Sequence, residues 1–230
     1  MRVVSLVPSV TETLLAWGIR PVAVTRFCEQ PEFPTVGGTK DPDVAAIVAL
    51  APDLVVVNDE ENRRPDHDAL VAAGLEVHVT HVESVADVSP MLDALAVAVG
   101  RRADAGPAAS EAAASMRRPG RRAFVPIWRR PWMTINADTY GASVLDALGI
   151  VGVFAEAADR YPTVELDEVV ARRPDLVILP SEPYPFAERH MAELRAVASD
   201  VRLVDGRDLF WWGVRTPDAL VRLGQALSSA

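Results

Sequence analysis

Two tryptophans and an arginine stand close together near the C-terminus, in Phe210-Trp211-Trp212-Gly213-Val214-Arg215. A pair of indoles can cover a broad, flat ligand, and a guanidinium can meet a carboxylate or phosphate through paired hydrogen bonds. This is the chemistry of recognition rather than of bond breaking. One of the two rings is expected to cap a core and the other to face a ligand. A second group of the same kind is Trp128-Arg129-Arg130-Pro131-Trp132-Met133, with Tyr140 near the start of the next helix. In the first half of the chain Phe27-Cys28-Glu29 and Thr39-Lys40 fall in loops that follow a strand or precede a helix. Pro8 and Ser9 mark a helix start, where free N–H groups can meet polar ligand atoms.

Catalytic or metal-binding chemistry has no comparable constellation. The four histidines, His67, His78, His81 and His190, lack metal-ligand spacing, and His78 and His81 lie on a strand and its exit, so they point differently. No P-loop, dinucleotide fingerprint or nucleophile elbow is present. Ser9-Val10-Thr11-Glu12 reads instead as a capping box that opens a helix. No catalytic residue, metal site or required cofactor is therefore expected. If the chain were an enzyme, Cys28 and Glu29 would be the first groups to test.

The elements that must position these residues alternate. The β-branched run Val3 to Val7 precedes a helix through Leu14, Leu15 and Trp17 that stops at Gly18. A short strand at Val22 to Val24, a helix at Val44 to Leu50, a strand at Leu54 to Val57, a helix near Pro65 to Ala73 and a strand at Leu75 to Val79 follow. Strands alternating with helices imply parallel pairing through right-handed crossovers. Helical spacing without strands then runs from about 85 to 118, with a break expected at Gly106-Pro107. The strand pattern resumes at Ala123 to Ile127 and recurs at Arg202 to Val204.

The second half repeats the first. Ala51-Pro52-Asp53-Leu54-Val55-Val56 recurs 122 residues later as Arg173-Pro174-Asp175-Leu176-Val177-Ile178, and Trp17-Gly18-Ile19 is echoed by Leu148-Gly149-Ile150. The fold expected is α/β, with two duplicated Rossmann-like lobes containing parallel sheets and joined by a helical connector. The lobes span 1–84 and 119–230, and the connector 85–118. Open parallel sheets take ligands outside the carboxyl ends of their strands, and two such lobes would hold a small molecule in a cleft between them.

Charge narrows the partners. The chain of 230 residues has a formal net charge of −9, which argues against nucleic acid or an anionic membrane surface. One cysteine precludes an intrachain disulfide, and no run of 18 or more apolar residues suggests insertion in a membrane. The N-terminal run Met1 to Val7 is short and ends at Pro8 without a signal-type cleavage site. The sequence as it stands reads as cytoplasmic, or as extracytoplasmic if a leader has been removed.

The opening Arg2-Val3-Val4-Ser5-Leu6-Val7-Pro8-Ser9-Val10-Thr11-Glu12, the segment Gly37-Gly38-Thr39 and both Pro-Asp-Leu-Val segments resemble the substrate-binding proteins of cobalamin and ferric-siderophore ABC importers. The opening and the aromatic pair look most like the cobalamin-binding branch. The resemblance implies two α/β lobes bridged by one long helix, cobalamin or a related metal chelate as ligand, and an ABC permease as partner. Haem or a ferric siderophore is the alternative ligand. It further implies a cleft aromatic at Tyr161 and one acidic docking knob per lobe. Glu60 and Glu61 fit the first knob, and either Glu182 or the stretch holding Glu165 and Asp167 fits the second. From a different class, a cytoplasmic enzyme or metal-cofactor handling protein reusing the fold remains the other expectation.

Overall fold

The computed structural model describes residues 1–103 and 120–228. They form two compact units. Of the described residues, one unit takes Met1–Val82, those of Asp87–Gly106, and Trp212–Val214. The other takes Glu83–Ala86, those of Pro107–Trp211, and those of Arg215–Ala230.

In the first unit the chain runs β1 (Val3–Ser5), α1 (Pro8–Ala16), β2 (Ala23–Val24), α2 (Val44–Ala49), β3 (Leu54–Asn58), α3 (Arg64–Ala72) and β4 (Val77–Thr80). The sheet order is β2-β1-β3-β4, with every neighbouring pair parallel. All five residues of β3 are buried, as a central strand covered on both faces requires. Helix α4 (Val85–Ala98) follows. It ends with Gly100 at φ 73°, while Gly100 N–H donates to Val97 O and Arg101 N–H to Ala96 O. That paired closure needs a left-handed residue, which glycine adopts without a Cβ penalty. Helix α4 thus closes at Ala98, before the Ala-rich part of the connector. The break expected at Gly106-Pro107 lies outside the described residues.

The second unit contains β5 (Arg121–Phe124), β6 (Trp132–Met133), α5 (Tyr140–Ala147), β7 (Ile150–Gly152), β8 (Thr163–Val164), α6 (Leu166–Ala171), β9 (Leu176–Pro180), α7 (Glu188–Leu194), β10 (Asp200–Val204), α8 (Gly206–Phe210) and α9 (Thr216–Leu227). Its main sheet has the order β10-β9-β5-β7, again all parallel, with β6 and β8 forming a small antiparallel pair. Matching β1 to β5, β2 to β7, β3 to β9 and β4 to β10 superposes the two topologies. Strand β5 starts and ends earlier than expected, because Val125 to Ile127 leave the sheet. Val125 O accepts from Thr134 Oγ1, and Ile127 N–H donates to Met133 O.

The duplicated Pro-Asp segments do the same work twice. Asp53 N–H donates to Arg2 O at 2.8 Å and Asp53 Oδ2 accepts from Arg2 N–H at 2.5 Å. Asp175 N–H donates to Arg122 O at 2.8 Å and Asp175 Oδ2 accepts from Arg122 N–H at 2.7 Å. Ala51 and Arg173, two residues before each aspartate, take φ values of 44° and 52°. Each clamp closes the amino edge of a sheet one residue before its central ladder begins, at Val3↔Leu54 and Ala123↔Leu176. Replacing Asp175 by alanine removes one such hydrogen bond and is expected to lower stability by about 1 kcal/mol. Urea unfolding monitored by circular dichroism checks this, and an unchanged midpoint would refute the role of the clamp.

Candidate functional site

In the second unit β5 and β9 exit side by side, and their exits carry the aromatic residues. The segment after β5 holds Trp128 and Arg129, and the segment after β9 is Ser181-Glu182-Pro183-Tyr184-Pro185-Phe186. Trp128 is 44% exposed, and its ring meets Tyr184 edge-on, centroids 5.5 Å apart at 80°. Tyr184 packs on Phe186 at 4.6 Å, and His190 meets Tyr184 at 5.6 Å and Phe186 at 5.5 Å. Arg129 is fixed beside them by two hydrogen bonds to Glu193 Oε2, at 2.9 and 3.1 Å. That carboxylate raises the pKa of Arg129 above the ordinary guanidinium value. His190 Nδ1 accepts the N–H of Ala187 at 3.0 Å, so its ring carries its proton on Nε2. Burial, then Arg189 and Arg129, hold its pKa below the usual histidine value.

A second polar group surrounds Trp211. Its indole N–H donates to Glu182 Oε2 at 3.0 Å, and Arg207 and Arg215 lie over its ring at 5.3 and 5.5 Å. Glu182 Oε1 also accepts from Arg207 Nε at 3.3 Å. Asp208, with a side chain only 6% exposed, binds Arg215 at 3.0 Å and Arg222 at 2.7 Å. The cationic rim therefore carries its own counterion.

In the first unit the acidic turn after β3 is shaped by amides. Asn58 Oδ1 accepts the N–H groups of Glu60 and Glu61, each at 3.0 Å, and Asn62 Oδ1 accepts that of Asn58 at 2.8 Å. Lys40 Nζ donates to Glu60 O at 2.5 Å, while Thr39 O accepts from Asn62 Nδ2. A cavity of about 230 Å³ beside this turn is walled partly by Val57, Val79, Arg63 and His67. It is smaller than the usual 300–1,000 Å³ of a drug-sized ligand site, so a macrocycle does not fit there.

The matched family model is that of a periplasmic binding protein, and it covers residues 3–199. The chain belongs to the periplasmic binding protein family. Among curated relatives, the vitamin B12-binding protein of Salmonella choleraesuis (strain SC-B67) is 28% identical over 190 residues, covering 77% of this chain and 71% of the relative. The vitamin B12-binding protein of Yersinia pestis (strain Pestoides F) is 26% identical over 192 residues, covering 77% and 69%. Two solved structures from Vibrio cholerae share the fold. The vitamin B12-binding protein BtuF has a TM-score of 0.78 at 21% identity, covering 97% of each chain. The heme-binding protein HutB has a TM-score of 0.81 at 20% identity, covering 100% of this chain and 99% of that one. Among the described residues of this periplasmic binding protein, no helix is long and apolar enough to cross a membrane.

Several residues expected at a ligand surface are buried or already engaged by neighbours. Trp132 is 9% exposed and stacks on Phe186 in the core of the second unit, with 2° between the ring planes. Tyr140 is buried and its hydroxyl bonds Thr216 Oγ1 at 3.0 Å. That burial raises its pKa to about 12. Trp212 is buried as well, leaving Trp211 as the accessible member of the pair. Arg215 is engaged by Asp208 and Glu182 by Trp211 and Arg207, so neither is a bare charge awaiting a partner.

In the first unit Pro8 and Ser9 are buried at the start of α1, and Ser9 is not its cap. Pro8, already set for the first helical position, starts the helix with Val7 as N-cap, which puts Ser9 at the second position. Cys28 is buried, with Sγ 3.2 Å from both Thr11 Oγ1 and Thr25 Oγ1. Phe27 is 51% exposed under the Arg26 guanidinium. Tyr161 is also exposed, as are Glu165 and Asp167 at the start of α6.

Tyr184 and Phe186 are the members of the group that sequence reasoning did not name, and His190 was weighed there only as a metal ligand. The signal was available: Tyr184 follows the exit of β9 much as Trp128 follows that of β5.

Proposed function

We propose that the chain is the substrate-binding protein of a corrinoid importer, with cobalamin as its ligand. The observation that carries this reading is the match to vitamin B12-binding proteins over 190 residues. The half-exposed Trp128, held edge-on by Tyr184 at the carboxyl ends of β5 and β9, supports it. A ring fixed in this way offers contact area at little cost in side-chain freedom. Trp211, Tyr161, Phe27, Arg129 and Lys40 are the further ligand contacts on this reading. Glu60 and Glu61 on one unit, and Glu165 and Asp167 on the other, would dock on a permease. The protein would act outside the cytoplasmic membrane, by capture and release rather than catalysis.

The test is a tryptophan-fluorescence titration with cyanocobalamin and, separately, haemin, corrected for absorbance and repeated by calorimetry. One-to-one binding of cyanocobalamin tighter than that of haemin is expected. Trp128→Ala is expected to weaken it roughly tenfold, about 1.4 kcal/mol. If neither chelate binds below about 100 μM, equivalent to roughly −5.5 kcal/mol, the corrinoid reading is wrong and the kinship is one of fold.

A further inference from the structure

We infer that His190 is a positioning residue for the Trp128–Tyr184 aromatic face, and that it makes retention of a flat ligand depend on pH. The inference rests on the proposal that this face contacts the ligand. Its starting point is the hydrogen bond from Ala187 N–H to His190 Nδ1 at 3.0 Å. Ala187 is the N-cap of α7 and has no side chain that could cap, while His190 occupies the third helical position. The imidazole therefore reaches back to the N-cap N–H as a glutamine does in a capping box. Only a neutral ring with Nδ1 unprotonated can accept that bond.

The same ring is a wall of the aromatic group. Tyr184 and Phe186 rest edge-on against it, and Trp128 rests against Tyr184. A proton on Nδ1 would set N–H against N–H at the helix start and place a cation beneath Tyr184. The charged and titratable groups around it are Arg189 and Glu193 on its own helix, Arg129 after β5, and Tyr184 after β9. Arg189 and Arg129 oppose a third positive charge, and Glu193, which would favour it, is already hydrogen-bonded by Arg129.

The sign of the effect follows from linkage. An unfolded histidine titrates near 6.5, and burial keeps folded His190 below that. Below pH 6.5 the unfolded chain thus binds more protons, and the contribution of neutral His190 is lost as pH falls toward its folded value. The segment holding Tyr184, and Trp128 that rests on it, loosen with it.

The experiment compares cyanocobalamin affinity by calorimetry across about pH 8 to 4.5 for the wild type, His190→Gln and His190→Leu. The wild type is expected to weaken about three- to tenfold at the acid end, the range set by losing one helix cap. His190→Gln keeps an acceptor but cannot titrate, so it should restore tight binding at pH 8 and flatten the profile. His190→Leu should be weak throughout. Parallel profiles for the wild type and His190→Gln would overturn the assignment.

Near-ultraviolet circular dichroism of the ligand-free proteins separates this from failure of the corrinoid reading. If cyanocobalamin binds none of them, an acid transition in the wild type that is missing in His190→Gln still supports the role of His190. Its absence from both, or its presence in both, would refute that role.

Discussion

Replacing Asp208 by alanine is expected to destabilise the second unit by about 3 kcal/mol, the lower end of what breaking a buried ion pair costs. The Asp208 carboxylate is 6% exposed and holds Arg215, itself 14% exposed, together with Arg222, which is 51% exposed. Removing the carboxylate leaves the Arg215 guanidinium largely out of water without this neutralising partner. Arg222 can rehydrate, which keeps the cost from the upper end of the range. Arg222 also loses the hydrogen bonds that raise its pKa above the ordinary guanidinium value. Urea unfolding of Asp208→Ala measures the loss. The double variant Asp208→Ala/Arg215→Leu should recover part of it, because an apolar pair no longer strands a charge. A loss below about 0.5 kcal/mol, the range of a substitution away from special features, would show that the network contributes little.

The second large effect is steric. A Cβ on Gly206 would lie 2.4 Å from Glu182 N and 2.9 Å from Glu182 Cα, which are backbone atoms and cannot turn aside. Gly206 also begins α8, with its N–H donated to Ser181 Oγ at 2.9 Å and Asp205 capping the helix through Arg207 N–H. Gly206→Ala must push the exit of β9 away from α8, with an expected cost of about 1–3 kcal/mol, as for overpacking elsewhere. The shift also lengthens the Glu182–Trp211 hydrogen bond, so the tryptophan emission should move along with the unfolding midpoint. Gly152→Ala is the control, since a Cβ there meets nothing closer than 3.9 Å. Equal midpoints for the two variants would refute the close contact.

Much of the fold was legible because it rests on local rules. The Pro-Asp segments announced the duplication, and the structure gives each the same pair of hydrogen bonds to the neighbouring strand. Glycine at helix ends was equally readable, as Gly18, Gly74 and Gly149 all take positive φ. The site was less legible. An aromatic residue beside a strand end can face either way, and residue type alone did not separate exposed Trp128 from buried Trp132, Tyr140 and Trp212. Tyr184 and Phe186 sit in a proline-rich loop without periodicity, so only their place after a strand end pointed to them. Arg215 looked available because Asp208, seven residues earlier, was not expected to be buried beside it. The cap at Ser9 was misread because Pro8 starts the helix one residue sooner.

The paired Pro-Asp clamps fasten each sheet at the amino edge, away from the loops that carry the aromatic residues. Each unit is therefore a chassis whose edge fastening is separate from the exposed tips of its rim. Substitutions at exposed positions of the loops after β5 and β9, such as Trp128, can accumulate while the strands stay in register. Such an arrangement favours divergence of specificity on a constant frame, and it makes grafting of a relative's rim a practical route to a new chelate.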